Sequence, residues 1–424
     1  MKLKILVYGI NYHPELTGIG KYTGEMCEWL AQRGHKVDII TALPFYPQWK
    51  VHKEYKDKGF LKEVRNKVNV YRVPIYVPQK VTGETRVLHE LSFNLKSLRY
   101  WFSNFFRAHD VVIGICPPLQ VGIYPYLYQF FRKRPFIFHI QDLQVDAAKQ
   151  LGLIKNKKLL SAIEKTEKFL FAKATIVSTI SEGIKRKIIE KGISEDKIFL
   201  LPNWVDTEFI KPLSKEESLK KEFAFKDTDK IILYSGNIGE KQGLEIVINV
   251  AEKLKERKNV YFVFCGEGAA KERLVKMANE KGLSNVKFFP LQPYEKLPRL
   301  LAMADIHLVI QKRAASDLVM PSKLTGILAA GGFAIVTADG GTNLYDVVKN
   351  NQIGIVTKPE DSGALYETIV YCLDNFSQIE DIKSKARQYA EEHLNKDRIL
   401  KRFEKLVEGL VDGLRTKKEG IIKS

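Results

Sequence analysis

Cysteine is scarce in this chain. Four residues in 424 (Cys27, Cys116, Cys265, Cys372) form no C-x-x-C pair and have no histidine cluster near them. That excludes a recognisable zinc site and fits reduced, buried thiols. A clean membrane span is missing too. The uncharged run 111–131 is long enough to cross a bilayer, but Pro117-Pro118, Pro125 and two glutamines break it into a strand, a turn and an aromatic helix. At the N-terminus the apolar run 5–10 is too short for a secretion signal, and no small-residue cleavage site follows. Repeats and low-complexity tracts are absent. Acidic residues are in deficit: 50 Asp plus Glu against 68 Lys plus Arg, a net charge of +18. Such a surface favours nucleotide phosphates, nucleic acid or an acidic leaflet. Nucleic acid is the poorest of these, since no recognition-helix, zinc or RRM pattern accompanies the charge.

What is present is a soluble, globular composition with 45% hydrophobic and 28% charged residues, in a chain long enough for two domains. Short β-branched and aromatic runs alternate with amphipathic stretches, the pattern of β-α units feeding parallel sheets. The first half predicts strands at 3–9, 37–41, 69–73, 111–115, 136–140, 175–180 and 198–201. The second half predicts 231–235, 260–265, 286–289, 306–310, 333–337 and 353–357. The join falls near 202–211, where Pro202-Asn203-Trp204 precedes a charged stretch without a clear strand. From 381 to about 414 the chain is helical, with Ile399, Phe403, Leu406, Leu410 and Leu414 on one stripe. Two doubly wound domains bind ligands outside the carboxyl ends of their strands, so the loops there are the ones to inspect.

After the first strand comes LTGIGKYTG, whose Gly18 and Gly20 can bring backbone N–H groups and a helix N-terminus to an anion. It is neither G-x-G-x-x-G nor a P-loop, and composition alone leaves it open as a structural turn. HIQDLQVD (139–146) holds Asp142 and Asp146 four residues apart, placed either to orient an acceptor hydroxyl or to serve as a cap and a surface acid. His139, inside an alternating strand, reads as a satisfied core histidine. In the second half, SGNIGEKQG (235–243), CGEG (265–268) and MPSK (320–323) form three strand-to-helix turns, two with lysines, suited to a diphosphate. The lone D-x-D, Asp227-Thr228-Asp229, predicts a solvated turn rather than a metal ligand.

Taken in order, these segments, with STISEG (178–183), LPNWVD (201–206), LPRLLAMADIHLV and PSKLTGILAAGG, resemble the retaining family-4 glycosyltransferases over nearly the whole chain. NYHPELTGIGKYTGEM, HIQDLQVDA and VMPSKLTGILAAGG are most similar to the colanic-acid-type exopolysaccharide branch. The resemblance implies an α/β GT-B fold with two doubly wound, Rossmann-like domains facing a central cleft. Residues 1–205 would bind acceptor and 206–395 the nucleotide sugar, with 396–424 a helix and tail crossing back to the first domain. It implies retention of configuration, no metal and no cofactor. Asp142, Lys323 and Lys241 would be catalytic. Gly18, Gly20, Gly236, Asn237, Gln242, Gly266, Glu267, Gly268, Ser322, Asp317 and Asn343 would bind substrate. The family's usual Arg and Lys are Asn237 and Gln242 here, so Lys323, assisted by Lys241, is expected to meet the pyrophosphate. Its paired glutamates fall at Leu318 and Gly326, for which Asp317 and Asn343 are the substitutes. The branch points to GDP-fucose or a UDP-sugar as donor and a lipid-linked or polysaccharide acceptor. The rival readings are a GT-B epimerase or phosphorylase and a non-catalytic binding subunit.

Cytoplasmic, peripheral attachment to the inner face of the plasma membrane is also expected. Leu88, Leu91, Leu95, Leu98, Phe102 and Phe105 recur at helical spacing, widened by Trp101 and Phe106, with Arg86, Lys96, Arg99 and Arg107 around them. Tyr124 to Phe131 run into Arg132-Lys133-Arg134, an aromatic-then-basic order suited to an anionic membrane surface, though a helix packed on the sheet would read the same way.

Overall fold

The computed structural model describes residues 1–15, 18–150, 156–313, 321–375 and 379–422. The chain divides into two compact units, Met1–Pro202 with Leu400–Ser424, and Asn203–Ile399. The division falls after Pro202 rather than Val205, because Val205 bridges to Asn395 within the second unit, which also keeps the first residues of the last helix.

The first unit is built on eight strands: β1 (Lys4–Tyr8), β2 (Lys36–Ala42), β3 (Leu61–Arg65), β4 (Val68–Val73), β5 (Val111–Cys116), β6 (Phe136–Ile140), β7 (Ile176–Thr179) and β8 (Ile198–Leu200). Their order is β3-β4-β2-β1-β5-β6-β7-β8, parallel except for the β3–β4 hairpin. The chain runs outward from β1 in one direction and returns through β5 to the other side, so the topological switch lies between β1 and β5, where Tyr8 registers with Gly114. β1 is buried from Ile5 to Tyr8 and β6 throughout, as strands covered by helices on both faces must be.

Helix Gly83–Phe105 starts at a Thr82–Thr85 capping box. Its inner face is unusually polar because the Tyr8 hydroxyl, from β1, needs partners: Asn94 Oδ1 at 3.0 Å and Ser97 Oγ at 2.8 Å. Trp101 belongs to this inner face, buried against Tyr8 and Tyr124, and does not widen the outer stripe. Residues 111–131 become β5, a short turn and helix Ile123–Arg132. Among the described residues no helix is long and apolar enough to cross a membrane.

In the second unit β9 (Lys230–Ser235), β10 (Val260–Cys265), β11 (Val286–Phe289), β12 (Ile306–Val309), β13 (Ala334–Thr337) and β14 (Ile355–Thr357) form a wholly parallel sheet, β11-β10-β9-β12-β13-β14. Alternate residues of β9 feed opposite cores: Ile232 and Tyr234 pack with Phe262 and Phe264, whereas Ile231 and Leu233 pack with Leu219 and Leu300. The switch here lies between β9 and β12. Asp229, read as part of a solvated turn, is buried: its Oδ2 accepts from Lys226 N at 2.7 Å.

Helix Ile379–Tyr389, a π-turn at Ala390–Leu394 and helix Lys396–Ile422 close the chain. The last helix buries Leu400, Phe403, Val407 and Val411, so Leu406 and Leu410 flank the contact rather than form it. Glu404 anchors it to the first unit, accepting from Arg33 Nε at 2.8 Å and pairing with His35 at 2.9 Å.

Candidate active site

At the switch point of the second sheet, β9 ends and the backbone turns through Gly236–Gly243. This turn is laced to the one after β10. Gly236 N donates to the Cys265 carbonyl at 2.9 Å, Ile238 N to Glu267 at 2.8 Å, and Ala270 N back to Ile238 at 3.0 Å. Gly266 is required by the closeness of that lacing, since a Cβ there would lie 1.9 Å from the Gly236 carbonyl oxygen. Tyr234 donates its hydroxyl to the Asn237 carbonyl at 2.6 Å, and Gln242 Oε1 accepts from Gly239 N at 3.1 Å. The side chains within the turn thus shape it and leave it without a positive charge up to the exposed Lys241, while Glu240 pairs with Arg273 at 2.6 Å.

The charge comes from beneath. Lys323, in the first turn of helix Ser322–Ala329, lays its ammonium 3.7 Å from the Tyr234 ring centroid. A Cβ on Gly236 would sit 3.5 Å from its Nζ. That nitrogen is shut off from solvent and has no hydrogen-bond partner among the described residues. Burial pushes the ammonium down to about 7. The helix N-terminus has no side-chain cap, so its partial positive charge adds to the lysine's. A buried ammonium with no partner among the described residues, under a glycine turn and at a helix N-terminus, is able to receive an anion.

In the first unit, helix Gly18–Gln32 opens on Gly18 in the left-handed region (φ 59). The segment before it is clamped by two buried charges. Glu15 accepts from Phe45 N and Tyr46 N at 2.9 Å each and from Asn11 at 2.8 Å, while burial raises its carboxyl's pKa. Arg72, fully buried, donates to the His13 carbonyl at 2.6 Å and pairs with Glu63 at 2.5 Å. The helix packs so closely on this clamp that a Cβ on Gly20 would lie 2.7 Å from Glu15, and one on Gly24 2.2 Å from the His13 ring.

Beyond β6, His139 is a core histidine. Gln141 Nε2 lies 2.9 Å from its Nε2, which therefore accepts and leaves the Nδ1 proton for Ser178 Oγ at 3.0 Å. Burial lowers its pKa to about 4. Asp142 is half-buried ahead of helix Gln144–Gln150, whereas Asp146, within that helix, pairs with Lys191. The two carboxylates therefore share no helix face. After burial itself, the charges of Glu167, Asp142 and Glu90 raise the Cys116 thiol at the end of β5.

A family model described as "Glycosyl transferases group 1" matches residues 215–389, and one described as "Glycosyl transferase 4-like domain" matches residues 17–204. WcaI of Escherichia coli, a glycosyl transferase assigned to colanic acid biosynthesis, is 42% identical over 407 residues, covering 95% of this chain and 98% of its own. The chain belongs to this glycosyltransferase family. Sucrose-phosphate synthase from Thermosynechococcus elongatus shares its fold with a TM-score of 0.75 at 16% identity, over 97% of this chain and 100% of that one. HepE of Anabaena in complex with UDP does so with 0.71 at 14% identity, over 96% and 100%. The glycosyltransferase is thus of the GT-B type.

Of the residues singled out in the sequence, Gly236, Asn237, Gln242, Gly266, Glu267, Gly268, Lys241, Ser322 and Lys323 lie in or beside the second unit's interlocked turns. The Glu267 side chain points to the surface and pairs with Lys271 at 2.7 Å, so only its backbone serves the turn. Asn343 opens helix Asn343–Asn350 after β13, with Thr342 as its cap. Asp317 and Leu318 lie outside the described residues. Glu15, Arg72, Glu90 and Tyr234 were not legible as site residues, since each acts through a partner distant in sequence or through burial. Among the described residues, His35, Glu404 and Glu408 place possible ligand atoms within 4.8 Å of one another. Arg33 holds Glu404, and the Met1 ammonium holds Glu408 at 2.7 Å, so ion pairs already satisfy these carboxylates.

Proposed function

We propose that this glycosyltransferase moves a sugar from a nucleoside diphosphate to a lipid-linked saccharide during exopolysaccharide synthesis, with retention of configuration and without a metal ion. The observation that carries the donor assignment is Lys323. Its buried ammonium, without a partner among the described residues, lies under the Gly236 turn and is matched by a diphosphate lying across that turn. In the reaction the sugar–phosphate bond lengthens as the acceptor approaches from the same face. Lys323, Lys241 and the helix N-terminus at Ser322 stabilise the charge growing on the departing diphosphate, which takes the acceptor's proton. The UDP bound by HepE and the colanic-acid role of WcaI support a nucleoside diphosphate sugar and a polysaccharide pathway. GDP-fucose and UDP-sugars are the donors to try first.

The first unit, on this reading, binds the acceptor at the inner membrane face. Helix Gly83–Phe105 exposes Val87, Leu88, Leu91, Leu95, Leu98 and Phe102 along one side. Phe131 of helix Ile123–Arg132 extends the surface, packing 6.2 Å from Phe105. Lys96, Arg99 and Lys133 are exposed around it. An apolar stripe with a basic rim lies in a headgroup boundary at a cost lower than in water.

The test is a thermal-stability screen with UDP, GDP, ADP and their sugars, in which a ligand at 100 times its dissociation constant adds about 2.7 kcal/mol. The stabilising donor is then followed by NMR for transfer and for the anomeric configuration of the product. If no nucleotide stabilises the protein, the donor assignment is wrong; an inverted product removes the retaining mechanism.

A further inference from the structure

We propose that the first unit carries a subsite for a neutral pyranose of the acceptor, in which Glu90 orients a hydroxyl and Tyr46 and Trp49 form the aromatic wall. The inference rests on the reading of the chain as a transferase with a saccharide acceptor. The loop after β2 is pinned to helix Gly83–Phe105 by His89, whose ring lies 4.5 Å from Phe45 and 5.1 Å from Trp49. The same loop meets the glycine turn, for a Cβ on Gly18 would touch the Tyr46 ring at 3.5 Å. Tyr46 is exposed and Trp49 half-buried, so both rings keep surface to offer.

Glu90 follows His89 on the helix and is only 6% exposed. Its Oε1 accepts from Gln144 Nε2 at 2.7 Å and from Arg86 Nε at 3.2 Å, and Gln120 nearby also favours its charged form. A carboxylate offers about four lone-pair sites, so at least one remains for a hydroxyl. Stability does not account for an acid in this place. Among the described residues its ion pair is with an exposed arginine at i, i+4, so beyond the Gln144 bond little offsets the burial of its charge. Burial accordingly raises its pKa.

The chemistry of the lining selects the ligand. Glu90 bonds Gln144, which follows Asp142 after β6, and Gln120 approaches it from the turn after β5, with Arg86 already committed to Glu90. Such groups suit vicinal hydroxyls rather than a phosphate, and an aromatic wall suits the apolar C–H face of a sugar ring. The outward stripe begins about a third of a turn around the same helix, within its diameter of about 10 Å. A saccharide tethered to a lipid can span that distance.

The experiment is saturation-transfer NMR on the full chain with methyl pyranosides of glucose, galactose, mannose, fucose and N-acetylglucosamine. At least one should receive saturation on its ring protons. Glu90→Gln should weaken that ligand by about tenfold or more, the worth of a hydrogen bond to a charged group. Trp49→Leu should abolish the ring-proton signal, and unchanged circular dichroism shows that both variants fold. The proposal is overturned if no pyranoside binds while UDP or GDP still stabilises the protein, or if binding survives both substitutions. Failure of every nucleotide in the stability screen would instead count against the transferase reading itself.

Discussion

Lys323→Met separates function from stability in opposite directions. A lysine whose folded pKa lies below its unfolded value costs stability wherever the unfolded chain holds more protons, which here means below about pH 10.5. With the folded value at about 7, the cost is complete below neutrality and disappears as pH rises through the unfolded value. At 1.36 kcal/mol per unit it reaches at most about 4 kcal/mol at pH 7 and about 2 at pH 9. The ring contact with Tyr234 returns about 1 kcal/mol. Methionine nearly conserves volume and needs no partner. The variant should therefore unfold at higher denaturant concentration than wild type, by a margin that shrinks from pH 7 to pH 9. It should also bind the stabilising nucleotide about 10²-fold more weakly, through loss of a charge-assisted bond. In the wild type at pH 8, about nine-tenths of Lys323 is neutral before binding. Calorimetry in two buffers should then show nearly one proton taken up with the nucleotide. A variant that is less stable at pH 7 yet binds nucleotide like the wild type would refute this account of Lys323.

Activity should survive EDTA if, as proposed, lysines and helix termini meet the diphosphate; loss on chelation, restored by magnesium or manganese, would overturn that. Gly266→Ala should lower the melting temperature and abolish nucleotide stabilisation, since its Cβ would lie 1.9 Å from the Gly236 carbonyl oxygen; full nucleotide binding in that variant would show that the interlock does not position the site. Vesicles containing anionic lipid should bind the protein less as salt rises. Leu95→Ser with Phe102→Ser should weaken this about 10²-fold, as two exposed apolar anchors are lost, and unchanged co-sedimentation would remove the membrane assignment. Acid should destabilise the fold through His139 and His307, which burial lowers to about 4 and about 3. The unfolded chain binds their protons first, so stability falls as pH drops below about 6.5, by up to about 2 kcal/mol per ring at pH 5. Urea midpoints that stay level between pH 7 and pH 5 would contradict it.

The interior of the fold was legible because buried parallel strands announce themselves as continuous apolar runs. The expected bounds of 136–140, 260–265 and 286–289 coincide with β6, β10 and β11. β3 was not, since LKEVR is charged, sits at an edge and is joined to β4 by Asn66 and Lys67 at positive φ without a glycine. Helical spacing located the outer stripe of Gly83–Phe105 but could not tell that Trp101 turns inward, because the polar inner face hides the boundary between the two sides. Glycine spacing revealed the turns around Gly236 and Gly266, whose geometry is local.

What spacing could not reveal was how the two lysines differ. The resemblance put Lys323 ahead of Lys241, but the reason is tertiary: Lys241 is exposed, whereas the Lys323 ammonium is sealed under the turn with no partner among the described residues. The difference is made by Tyr234 and by the approach of helix Ser322–Ala329, both consequences of tertiary packing. It has a functional consequence as well. On the proposed reading, a turn that spends Gln242 on Gly239 N and carries one exposed lysine draws its second cation, Lys323, from the helix beside it. When that cation is a buried lysine near neutrality, nucleotide binding becomes coupled to proton uptake, which a guanidinium on the turn itself could not do because it never loses its charge.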